Sequence, residues 1–110
     1  MRQYEIRWAS LPEPIGRRPV LLLSRNAAYD YLNKFIVAEI TSSTRGIPQE
    51  VTLGTAEGLP RACVANLDNI HVVAKQQIGA RAGVLAARRE AEVKRALGYA
   101  LGWPELKVLE

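Results

Sequence analysis

The chain has 110 residues, 48% apolar and 24% charged, which supplies one compact core without metal or disulfide staples. A net charge of +4 and a pI near 9.6 favour anionic partners, nucleic acid before a membrane surface. The single cysteine, Cys63, excludes an internal disulfide, and its setting in Ala62–Ala65 suits a buried small residue in a reducing compartment. The charged segment Met1–Arg7 lacks the apolar core of a secretory signal, and no later run approaches membrane-spanning length. The expectation is a soluble, cytoplasmic protein whose residues 1–110 form a single domain.

Residues Gln3–Ala9 roughly alternate, with Tyr4, Ile6 and Trp8 on one side and Glu5 and Arg7 on the other, predicting a half-buried strand. Leu11-Pro12-Glu13-Pro14-Ile15-Gly16 reads as a loop, because two prolines remove backbone donors and the glycine invites a turn. Pro19–Leu23 is continuously apolar, as expected of a central strand covered on both faces. Lys34–Ile40 is similar, and the hydroxyl-rich run Thr41-Ser42-Ser43-Thr44 with Arg45-Gly46 ends it. Glu50–Leu53, Ala62–Ala65 and Ile70–Ala74 are further short strands between turn residues. After Gly83 the pattern changes: Val93, Ala96, Leu97, Ala100 and Leu101 recur at helical spacing. Arg88 with Glu92 and Glu90 with Lys94 are placed for ion pairs on its solvated face. Trp103-Pro104 should stop this helix, with Trp103 packed inward. The chain is thus expected to be mainly β (α+β), a small barrel with a C-terminal amphipathic helix, without repeats or a second domain.

One histidine, one cysteine and scattered acids make no metal-ligand pattern, no thiol protease pair and no glycine-rich phosphate cradle. Catalysis, if present, must rest on positioning, hydrogen bonds and fixed positive charge. RNA permits this, because its own 2′-hydroxyl can attack the adjacent phosphorus. If Arg18–Leu23 and Lys34–Ile40 are consecutive antiparallel strands, Arg18, at the mouth of the first, neighbours Thr41 at the end of the second. A guanidinium fork and a hydroxyl suit a scissile phosphate. On spacing alone, the commoner arrangement pairs Arg18 with a surface acid and leaves Thr41 as a strand end.

The segments Arg18-Pro19-Val20-Leu21-Leu22-Leu23-Ser24, Ile36-Val37-Ala38-Glu39-Ile40-Thr41-Ser42 and Val64-Ala65-Asn66-Leu67-Asp68-Asn69-Ile70 resemble the MazF/PemK family of toxin endoribonucleases in order and spacing. Glu5-Ile6-Arg7-Trp8-Ala9 resembles that family's first strand. The resemblance implies an SH3-like barrel of the MazF/CcdB type, acting as a homodimer on single-stranded RNA and held in check by a cognate antitoxin. It further implies cleavage through a 2′,3′-cyclic phosphate with no metal and no cofactor. Carried over, the catalytic arginine and threonine fall on Arg18 and Thr41. Asp68 matches an acid that touches RNA or shapes the groove, with a turn cap as its alternative, and His71 matches a basic position. His71 could bind phosphate or transfer a proton, or simply be structural. Arg17, Ser42 and Arg45 are groove candidates by position. The loop before Arg18 is shorter than in many members, and Glu13 is its only acid. The general base is therefore unassigned, since arginine stays charged and is a poor base. Two other classes remain: a CcdB-like toxin that binds a protein such as a topoisomerase, and a basic module that binds nucleic acid without cutting it.

Overall fold

The computed structural model describes residues 1–109. Its strands are β1 (Glu5–Leu11), β2 (Gly16–Leu22), β3 (Lys34–Thr41), β4 (Glu50–Leu53), β5 (Cys63–Ala74) and β6 (Ile78–Val84). The helices are α1 (Ala28–Tyr31), α2 (Glu90–Leu101) and α3 (Pro104–Lys107). All strands join one antiparallel sheet in the order β4-β5-β3-β2-β1-β6.

The two apolar runs lie centrally because both of their faces are covered. Leu21, Ala38 and Ile40 pack into a cluster with Val93 and Ala96 of α2, whereas Val20, Leu22 and Val37 meet Tyr29, Phe35 and Val73. Each fully buried side chain of this kind contributes about 1.5–3 kcal/mol. The sheet also curls. Gly58, in the turn after β4, has a φ of +85°, and a Cβ there would lie 2.0 Å from the Ala82 carbonyl oxygen. A Cβ on Gly83 would meet the Glu57 oxygen at 2.0 Å. Backbone therefore lies on backbone, drawing the end of β4 against β6 and bending the sheet into a partly open barrel.

Several elements differ from expectation. Tyr4 has a φ of 72°, so β1 starts after it and runs on through buried Leu11. Glu5, expected on the polar side, is buried and held by Arg7 at 3.0 Å. The loop shrinks to Pro12–Ile15, and β2 begins at Gly16, making Arg18 an interior strand residue rather than one at the mouth. Ala62–Ala65 and Ile70–Ala74 are ends of one strand of 12 residues, interrupted where Leu67, Asp68 and Asn69 leave the register with β3. β6 was unforeseen, because its glycines and alanines hide the apolar alternation that marks a strand. Left-handed Gly102, at φ 70°, ends α2, and Pro104 opens α3. Trp103 stays 48% exposed rather than packing inward. Among the described residues neither expected helix pair closes; Arg89, from the turn before α2, takes Glu92 at 2.8 Å and Glu57 at 3.4 Å.

Candidate active site

Beside the start of β2 and the end of β3, the curled sheet opens into a cavity of about 330 Å³. Val20 pairs with Glu39, and extending that register to the strand ends sets Arg18 opposite Thr41. Both residues line the cavity, with Trp8, Arg17, Ser42 and Arg61 around them. Three arginines and no acid contribute to its lining among the described residues, so the cavity favours an anion. Arg17 opposes Ser10 on β1 and leans diagonally over Trp8, its guanidinium carbon 4.9 Å from the ring centroid.

Behind the cavity a buried carboxylate joins three strands. Glu39 is 8% exposed; its Oε1 accepts from Arg18 Nη1 at 2.9 Å, and its Oε2 lies 3.1 Å from His71 Nε2. His71 pairs with Val37, two residues before Glu39 on the same face of β3, and reaches the carboxylate diagonally. A charge buried without partners would be costly, and these two contacts remove most of that penalty. Glu39 in return fixes the guanidinium, which keeps further donors for phosphate oxygens. Thr41 Oγ1 accepts the Ser43 amide at 3.1 Å, which leaves its own hydrogen available to donate. Arg18 does pair with an acid and Thr41 does end a strand, but the acid is interior and neither contact exhausts the group. In the surrounding scaffold, burial pushes the Tyr29 phenol up to about 12, and the Arg89 hydrogen bond holds the Glu92 carboxyl below its ordinary range.

The model of the family described as "PemK-like, MazF-like toxin of type II toxin-antitoxin system" matches residues 2–101. The chain belongs to this PemK/MazF family. A Mycobacterium tuberculosis protein described as "Probable endoribonuclease MazF5" is 38% identical over 98 residues, covering 88% of this chain and 89% of its own. The same organism's "Probable endoribonuclease MazF2" is 33% identical over 103 residues, covering 93% and 99%. Among solved structures, Mycobacterium tuberculosis toxin MazF-mt6 superposes with a TM-score of 0.84 at 32% identity, covering 89% of this chain and 96% of that one. A mycobacterial endoribonuclease in complex with its cognate antitoxin gives 0.83 at 27% identity, covering 94% and 97%. The mainly β barrel with a C-terminal helix is thus the PemK/MazF fold.

In this PemK/MazF chain the residues singled out from the sequence separate into three groups. Arg17, Arg18, Thr41 and Ser42 share the cavity. His71 lies outside its lining but joins Arg18 through Glu39. Glu13, Arg45 and Asp68 are exposed and outside the lining. Glu13 folds back within its own turn, its Oε1 3.8 Å from where a Gly16 Cβ would stand. The Arg45 and Gly46 amides donate to the Glu50 carboxylate, each at 3.0 Å, which sets the backbone rather than the Arg45 side chain. Asp68 sits on the β5 bulge, where its amide donates to Asn66 Oδ1 at 2.8 Å, so Asn66 does the capping there. Sequence reasoning missed Glu39, Trp8 and Arg61 as site residues. For Glu39 a signal existed: a carboxylate inside the apolar run Phe35–Ile40 must find a cation or a strong donor.

Proposed function

We propose that this chain is the toxin of a toxin–antitoxin pair, one domain throughout, and an endoribonuclease that cuts single-stranded RNA without a metal ion. It acts in the cytoplasm as a homodimer and is restrained by a cognate antitoxin. The observation that carries this reading is the convergence of Arg18 and Thr41 on one arginine-lined cavity. Family membership supports it, as do relatives described as endoribonucleases and a structural neighbour solved with its antitoxin.

In this reading the RNA 2′-oxygen attacks the adjacent phosphorus while the bond to the 5′-oxygen breaks, leaving a 2′,3′-cyclic phosphate and a 5′-hydroxyl. The remaining Arg18 donors hold the non-bridging oxygens as negative charge builds on them, and the Thr41 hydroxyl orients the phosphate. Arg17 and Ser42 hold RNA within the cavity. Arg45 serves phosphates further out, His71 stands beside the Arg18–Glu39 pair, and the acids Glu13 and Asp68 suit base edges rather than phosphates. A CcdB-like toxin aimed at a topoisomerase has no use for this phosphate site.

Incubation of purified protein with single-stranded RNA in excess chelator tests the proposal. Cleavage at a few defined positions is expected. Intact RNA held in salt-sensitive complexes would instead make the chain a binding module, and intact, unbound RNA would point to a protein target.

A further inference from the structure

Resting on that reading, we infer that His71 is the general base of the reaction and that Glu39 is its positioning residue. The chemistry needs a group to take the 2′-hydroxyl proton, and neither Arg18 nor Thr41 can do so at neutral pH. Glu13, on the turn before β2, and Asp68, on the β5 bulge, could in principle, but both are exposed and neither side chain contacts Arg18 or Glu39 among the described residues. His71 is the one imidazole in the chain, and it stands in line with Arg18 through a single carboxylate, at 3.1 Å and 2.9 Å on its two sides.

The contact with Glu39 prepares the ring. A carboxylate beside Nε2 favours the tautomer that carries its proton there, which leaves the Nδ1 lone pair unprotonated. Nδ1 has no protein hydrogen-bond partner among the described residues, and the His71 side chain is 24% exposed, so a substrate hydroxyl can reach it. Arg18 and His71 lie on strands either side of β3, two strand spacings apart across the sheet and, because Arg18 is level with Thr41 and His71 with Val37, four residues apart along it, about 16 Å at the backbone. Their side chains narrow that gap from both sides, so a phosphate on Arg18 and the adjacent 2′-hydroxyl near Nδ1 can be engaged together. As the 2′-oxygen bonds to phosphorus, its proton passes to Nδ1, the phosphorus–5′-oxygen bond breaks, and the departing oxygen takes a proton from water. Glu39 stabilises the imidazolium, which then returns its proton to solvent. Glu39 is no base itself, because both of its oxygens are engaged and one faces Arg18. The charged or titratable groups facing the ring are Glu39 of β3 and, beyond it, Arg18 of β2, with Asp68 further along β5 itself.

Single-turnover cleavage of a single-stranded RNA by the full chain tests this, alongside binding of the same oligonucleotide with 2′-deoxyribose at the cut site. His71→Ala and His71→Gln should each cut about 10²–10⁴-fold more slowly, with affinity for the deoxy analogue within about threefold of wild type. Added imidazole should restore part of the His71→Ala rate, and the pH profile of the wild-type rate should change in both variants. Glutamine can still donate to Glu39 but is no base, so a fully active His71→Gln would reduce His71 to a strut and overturn the proposal. So would a Glu13→Gln variant that loses cleavage while His71→Ala keeps it. Arg18→Ala separates the two readings: if it is inactive while His71→Ala is as fast as wild type, the base assignment alone fails. If Arg18→Ala itself cuts normally, the proposed site fails.

Discussion

Arg18 holds one hydrogen bond to a buried carboxylate and keeps the rest of its fork for a ligand. That division makes it sensitive to shape as well as charge. Lysine would keep the charge and the tie to Glu39 but lose the paired donors, so Arg18→Lys should cut RNA at least about 10²-fold more slowly at unchanged thermal stability. A single-turnover assay beside a melting curve checks both halves, and near-normal cleavage would show that fixed charge alone suffices. The meeting of Arg18 and Thr41 was legible in the sequence, since two adjacent apolar runs flanking a short connection predict a hairpin. The link from Glu39 to His71 was not. It depends on a register in which His71 opposes Val37 while, past the bulge at Leu67–Asn69, Glu39 opposes Asn66. Composition and spacing carry no information about where such a bulge falls.

At the scale of elements, the contact that curls the sheet is a backbone approach that only glycine permits. Gly83→Ala would drive a methyl to 2.0 Å from the Glu57 carbonyl oxygen. It should destabilise the fold by about 1–3 kcal/mol and lower the Tm by at least about 5 °C, measured by thermal unfolding. An unchanged Tm would mean that the two backbones separate without penalty. Gly83, with Gly79, also concealed β6 from a search for apolar alternation, so a residue that shapes the barrel helped hide one of its strands. Arg89 anchors the other side: it bonds Glu92 and Glu57 and donates to the Thr52 carbonyl at 2.7 Å, tying the start of α2 to β4. The Arg89 hydrogen bond lowers the Glu92 pKa, so the native state binds fewer protons than the unfolded chain near that pKa. This stability is fully present above the ordinary carboxylate range and is lost as pH falls through the lowered folded pKa. Glu92→Gln should therefore flatten part of the loss of stability below about pH 4.5. Urea unfolding across that range measures it, and an identical acid limb in the variant would count against the pair.

For the molecule as a whole, the net charge of +4 is less informative than its placement, with three arginines gathered on one cavity. Excess positive charge pointed to an anionic partner, but only the fold placed Arg61 with Arg17 and Arg18, because Arg61 lies in the segment between β4 and β5. Binding of an uncleavable single strand should weaken with salt, with log affinity falling by about 0.7 per phosphate contact against log salt. Arg17→Ala and Arg61→Ala should each shallow that slope by about one contact, while Trp8→Ala should lower affinity with the slope retained, as expected for lost stacking on a base. Slopes that do not move in either arginine variant would take the RNA path away from this cavity. The central claim, that Arg18 and Thr41 form a metal-independent RNA-cleaving site, is tested most directly by mapping both ends of every cut in a mixed RNA pool. Wild type and Arg18→Ala would be treated side by side in chelator. The account predicts 2′,3′-cyclic phosphate and 5′-hydroxyl ends at short recurring motifs with wild type and none with Arg18→Ala; equal cutting by both, or 3′-hydroxyl ends, would contradict it.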